Sequence, residues 1–181
     1  LEIAQSQLGY HEKASNNYLD DFTANSGSAN WTKYARDLNE AGYYNGDKNG
    51  YAWCDLFVDW CFYMLANKDA DLAQKVECQT GDGGAGCLYS AQYYRNQNRY
   101  SSTPNVGDQV FFGPTGAEYH TGIVEKVFDN YIVTIEGNIM DQVLRQKYTI
   151  SESSINGYGH PKYELLSVAN TPSSAQSTIQ E

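Results

Sequence analysis

The run Gly50-Tyr-Ala-Trp-Cys-Asp-Leu-Phe-Val-Asp-Trp-Cys61 constrains this chain more than any other stretch. A glycine- and asparagine-rich approach over 42–50 turns there into an apolar segment. Phe57, Trp60, Cys61, Met64 and Leu65 recur at the three- and four-residue spacing of one buried helical face. Any fold must therefore bury a helix that begins near Cys54. The thiol of Cys54 then stands in or just before the first helical turn, on the side that faces the protein. Free backbone N–H groups and the positive end of the helix dipole favour a thiolate at such a point. A nucleophilic cysteine belongs there, although a lone free cysteine is more often a small core residue. The rest of the chain has to decide between the two.

Around that helix, over 54–67, the apolar spacing predicts further helices over 1–9, 31–41, 69–76 and 89–97. From Pro104 the pattern changes. A turn at Pro104-Asn-Val-Gly-Asp108 precedes about five strands, over 109–112, 120–127, 131–136, 143–150 and 157–163. Helices first and antiparallel strands second is an α+β arrangement. At 181 residues one domain is expected, over 1–166. The segment 167–181, rich in Ser, Thr, Ala, Gln and Asn, reads as a linker or tail.

Charge excludes several partners. With 22 acidic against 12 basic residues the net charge is −10, and no basic run exists, so nucleic acid and anionic membrane surfaces are not expected partners. No stretch approaches the roughly 18 apolar residues of a membrane span. The chain opens at Leu1 without methionine or a signal-peptide pattern, so secretion is not read directly. Cys54 and Cys61 lie about 10 Å apart along one helix, too far for a disulfide. Cys78 and Cys87 bracket a glycine-rich loop, and a bridge between them is expected; two unpaired loop thiols are the alternative.

A thiol nucleophile needs a base, and the base an orienting group. Of three histidines, His11 lies in an early loop and His160 in Gly157-Tyr-Gly-His-Pro161; only His120 opens a hairpin strand. The partner strand carries Glu136 and Asn138. Register decides whether these side chains meet. A two-residue Asp129-Asn130 loop, kept in register, puts Glu136 on the face opposite His120. A three-residue loop, or a bulge, brings His120, Glu136 and Asn138 onto one face.

These runs, in this order, resemble the motifs of CHAP domains, the cysteine- and histidine-dependent amidohydrolases/peptidases. The resemblance rests on Tyr-x-Trp-Cys-x-x-Phe-Val-x-Trp-Cys, Val106-Gly-Asp-Gln-Val-Phe-Phe112, His120-Thr-Gly-Ile-Val124, Ile135-Glu-Gly-Asn138 and Gly157-Tyr-Gly-His-Pro161. It implies a papain-like α+β fold of the NlpC/P60 group, with the nucleophile on a helix packed against an antiparallel sheet. It also implies cleavage of an amide bond in peptidoglycan, by an endopeptidase or an N-acetylmuramoyl-L-alanine amidase. Carried over by motif, Cys54 is the nucleophile, His120 the base and then the acid, and Glu136 the group that orients the imidazole. Asn138 holds the same network or helps bind the oxyanion. Asp55 departs from the pattern, since a small residue commonly follows the nucleophile in this family. His160 stands where an arginine often occurs, and reads as structural.

No organic cofactor is expected. Asn45, Asp47 and Asn49 have the alternate spacing of a calcium loop, and some phage-lysin CHAP domains resemble this stretch in carrying calcium there. Plain turn chemistry explains the residues equally well. Sixteen tyrosines suit a groove that grips a polar, extended ligand. Trp60 reads as core, whereas Tyr51, Trp53 and Tyr119 are expected to line the groove. The expected setting is a bacterial wall reached by secretion or phage delivery, with peptidoglycan as substrate. A monomer is expected, with a separate wall-binding module beyond 181. Other readings are an envelope-targeting toxin with the same chemistry, and a non-catalytic wall-binding module in which Cys54 is structural.

Overall fold

The computed structural model describes residues 1–80 and 85–169. Its helices are α1 (Glu2–Gln5), α2 (Lys33–Glu40), α3 (Cys54–Leu65), α4 (Ala70–Val76), α5 (Cys87–Asn96) and α6 (Glu164–Ala169). Its strands are β1 (Tyr100–Ser101), β2 (Gln109–Phe112), β3 (His120–Val127), β4 (Tyr131–Ile139), β5 (Gln142–Thr149) and β6 (Ile155–Gly159). Polar side chains set the starts of α2 and α4. Thr32 Oγ1 accepts from the Ala35 N–H at 3.1 Å, and Asp69 Oδ1 from the Leu72 N–H at 2.9 Å.

Helix α3 is the pillar of the fold. Every residue from Cys54 to Phe62 is buried, not only one stripe, because α2 and α4 flank it and β3 and β4 back it. An apolar segment enclosed on all sides needs no polar face. Its Leu56, Phe57 and Trp60 join Tyr10, Tyr34 and Leu38 in one cluster, which Ile123, Ile135 and Val143 complete from the sheet.

The sheet runs β1-β6-β2-β3-β4-β5, with every pair antiparallel. The sixth strand is the two-residue β1, which exists only through its pairing with β6 and is too short to show a period. Helix α6 crosses the expected end of the domain at 166, and 170–181 lie outside the described residues. Helix α1 is shorter than its periodicity suggests, and α5 starts two residues earlier.

The β3–β4 hairpin decides the site. Its loop is the two-residue one: Val127 pairs with Ile132, and the Phe128 N–H donates to Tyr131 O at 2.9 Å. Continued unchanged, this register would put Glu136 on the wrong face. A bulge between Val124 and Lys126 corrects it by one residue, so Val124 pairs with Thr134 and Ile123 with Ile135. The bulged Glu125 is buried, and its carboxylate accepts from Arg145 at 2.7 and 2.8 Å and from Gln5 at 2.8 Å. Those partners secure the irregularity from both α1 and β5.

Candidate active site

Cys54 is the first residue of α3 and His120 the first of β3, so the two side chains meet where their elements begin. Cys54 is 7% exposed, and its sulfur lies 3.6 Å from that of Cys87. The hydrogen bond with Cys87 holds the Cys54 thiol well below its ordinary value. Burial opposes this, and the His120 imidazole and the Asp55 backbone N–H add to it.

His120 Nε2 lies 2.7 Å from Glu136 Oε2, which leaves Nδ1 as the ring nitrogen for the thiol. The Phe112 ring flanks the imidazole at 5.6 Å between centroids. Glu136 is fully buried; besides His120 it accepts from the Thr134 hydroxyl, and from the Tyr148 hydroxyl at 3.3 Å. Burial lowers the pKa of His120, but its bonds and charge interactions with Cys54 and Glu136 outweigh that and lift it to about 9. The two shifts act together: the Cys54 sulfur is pushed toward the thiolate, and the His120 imidazole beside it toward the imidazolium.

The other expected site residues divide. Tyr51 and Tyr119 are 58% and 65% exposed, as a contact surface requires. Trp53 is not on that surface. It is fully buried, its indole N–H donates to Glu12 Oε2 at 2.6 Å, and its ring packs against Tyr10 and Tyr34. Position explains the correction: Trp53 stands just ahead of α3 and packs into the core cluster, whereas Cys54, one residue on, lies beside His120. Asn138 takes a left-handed conformation, φ 62°, at the irregularity between Glu136 and Ile139, and its amide makes no hydrogen bond to His120 or Glu136.

Asp55 neither reaches solvent nor caps α3. It is buried, and accepts from the Gly86 N–H at 2.7 Å, the Ser90 hydroxyl at 2.9 Å and Gln109 Nε2 at 3.1 Å. Burial first, then the charges of Asp59 and Cys54, raise its pKa. The expected Cys78–Cys87 bridge is absent, and all four cysteines are free thiols. Cys87 opens α5 and faces Cys54 instead. His160 is structural, lying 2.9 Å from Asp108 Oδ1 and 3.0 Å from Ser101 Oγ.

The loop at 45–49 is a poor match for calcium. Asp47 is its one carboxylate; Oδ1 accepts from the Asn39 side chain and the Asn49 N–H, and Oδ2 from the Asn49 side chain. That is the donor pattern of a turn held by its own amides.

Four contributors escaped the sequence reading: Cys87, Phe112, Thr134 and Tyr148. Gly86-Cys87 at a helix start repeats the signal that marked Cys54. The others are visible only through register: β2 and β5 bring the rings of Phe112 and Tyr148 beside His120 and Glu136, and β4 places the Thr134 hydroxyl against Glu136.

Three comparisons bear on this arrangement. The family model described as CHAP domain matches residues 46–138, just over half of the chain and the span that holds Cys54, His120, Glu136 and Asn138. No curated protein matches. A solved structure, "The crystal structure of Ly7917", is similar at 18% sequence identity and a TM-score of 0.43, over 72% of this chain. The match spans 63% of that chain's length.

Proposed function

This chain belongs to the CHAP domain family, and from that premise we propose that it hydrolyses an amide bond of bacterial peptidoglycan with Cys54 as nucleophile. CHAP domains are in general cysteine- and histidine-dependent amidohydrolases/peptidases. The observation that supports the assignment here is the convergence of Cys54, His120 and Glu136, with His120 Nε2 2.7 Å from Glu136 Oε2 and Cys54 next to the imidazole.

The thiolate of Cys54 adds to the amide carbonyl carbon, and backbone N–H groups at the start of α3 receive the oxyanion. The imidazolium of His120 gives its proton to the leaving nitrogen as the C–N bond breaks, leaving an acyl-thioester on Cys54. His120, now neutral, takes a proton from water, which attacks the thioester and releases the carboxylic acid and the thiolate. Glu136 keeps the ring oriented and stabilises its charge at both stages. The exposed rings of Tyr51 and Tyr119 offer flat apolar surface to an extended substrate. The reaction needs no organic cofactor. A net charge of −10 disfavours tight holding on polyanionic walls, so a separate binding module supplies the targeting. The setting is the bacterial wall, reached by secretion or phage delivery.

Digestion of purified peptidoglycan by the wild-type chain and by Cys54→Ala, with fragments read by mass spectrometry, tests this. New termini from wild type alone establish the activity and tell endopeptidase from amidase. No new fragments from several wall chemotypes would shift the reading to a binding module on the same fold.

A further inference from the structure

Cys87 has no role in the chemistry just described, yet it is built into the site more firmly than a packing residue needs. It begins α5 as Cys54 begins α3, and the two sulfurs stand 3.6 Å apart, within range of an S–H···S contact. The carboxylate of Asp55, the residue after Cys54, binds the Gly86 N–H at 2.7 Å and the Ser90 hydroxyl at 2.9 Å. One side chain of α3 thus grips the first turn of α5 on both sides of Cys87. Gln109 of β2 ties Asp55 in turn at 3.1 Å, so the distance between the sulfurs is set by three elements. This also accounts for an aspartate where the family commonly has a small residue.

We propose that Cys87 is a positioning residue of the nucleophile: its thiol donates a hydrogen bond to the sulfur of Cys54 and holds that sulfur as the thiolate. The inference rests on the reading of Cys54 as nucleophile. Surroundings fix which sulfur carries the proton. Cys54 faces the His120 imidazole from β3 and receives the Asp55 N–H from its own helix, both of which favour an anion; the Asp55 and Asp59 carboxyls of α3 and the Cys87 thiol of α5 are its other titratable neighbours. Cys87 is 6% exposed among Cys78, Ala91, Tyr94 and Phe111, and its charged neighbours, Cys54 and Asp55, both resist a negative charge on it. The proton therefore stays on Cys87, and its S–H points at the anion. A donor that serves a charged acceptor contributes about twice what a neutral pair does.

The test is the pH dependence of Cys54 alkylation by iodoacetamide, followed by peptide mass spectrometry on the full chain for wild type, Cys87→Ala and Cys87→Ser. It needs no substrate, so failure of the wall digestion and failure of this proposal are separate results. Loss of the donor in Cys87→Ala should raise the labelling midpoint by about one to two pH units. Below both midpoints labelling should slow about four- to twelvefold, because the more basic thiolate, once formed, reacts somewhat faster. Cys87→Ser keeps an O–H donor and should stay near wild type. A packing role predicts the reverse order, since a hydroxyl among Ala91, Tyr94 and Phe111 suits the site less than a methyl group. The proposal is overturned if the Cys87→Ala midpoint equals that of wild type or if Ser shifts it as far as Ala. A wild-type midpoint at the ordinary thiol value of about 8.5 overturns it as well.

Discussion

Burial by itself would strip the proton from His120, because an imidazolium loses its hydration in the protein; Cys54 and Glu136 reverse the outcome and raise its pKa to about 9. A folded pKa above the ordinary value has a definite sign. The imidazolium, and the stability it contributes, is fully present below about 6.5 and is lost as the pH rises through about 9. Activity that needs His120 as acid should decline over the same alkaline limb. Glu136→Gln keeps a hydrogen-bond acceptor but removes the charge, so the alkaline limb of the kcat/KM profile should move down by about one unit and the rate fall about 10- to 100-fold. An unmoved limb would mean that Glu136 orients the ring without stabilising its charge. At this scale the sequence named by motif and order the three candidates, Cys54, His120 and Glu136, that the structure brings together. It misjudged Trp53, because an aromatic side chain in a motif gives no sign of which way it points, and it could not place Asn138, whose backbone conformation depends on the bulge beside it.

Among the elements, the β3–β4 hairpin carries the most consequence per residue. Glu125 as a bulge shifts the register by one and brings Glu136 to the face of His120. Opposite Glu136 stands Gly122, where a Cβ would lie 2.4 Å from Glu136 Cγ and 3.0 Å from Ile135 O. Gly122→Ala must therefore displace Glu136 or part the strands. We expect it to cost about 1–3 kcal/mol in stability and to reduce activity far more than an alanine on an open strand position, as checked by urea denaturation and turnover measured together. A variant with full activity would show that the carboxylate tolerates movement. The sequence left two hairpin readings open, and the structure took the bulge. A bulge has no reliable local signature, because what stabilises it here is Arg145 on β5 and Gln5 on α1, 20 and 120 residues away.

The molecule as a whole is acidic outside and also inside. Asp55, Asp59 and Glu77 are buried, Asp59 accepting from Tyr44 and Gln79, Glu77 from Tyr43, and Asp55 from Gly86, Ser90 and Gln109. Burial is the main reason that all three pKa values rise, Asp59 to about 6. Raised carboxyls bind protons in the folded state that the unfolded chain has already released, so stability falls as the pH climbs from about 4 through about 6. Asp59→Asn removes one such proton. The slope of unfolding free energy over that window should flatten by up to about 1.4 kcal/mol per pH unit, measured by denaturant titration at several pH values; an unchanged slope would assign the proton to Glu77 or Asp55. The sequence alone determined the α+β order, the buried helix and the identity of the triad candidates. Periodicity and motif spacing are local properties, readable over a few residues. Only the tertiary structure decided the hairpin register, the partner of Cys87 and the burial of Trp53, Asp55 and Asp59. Each of these depends on which distant element packs against a residue, and no window along the chain contains that contact.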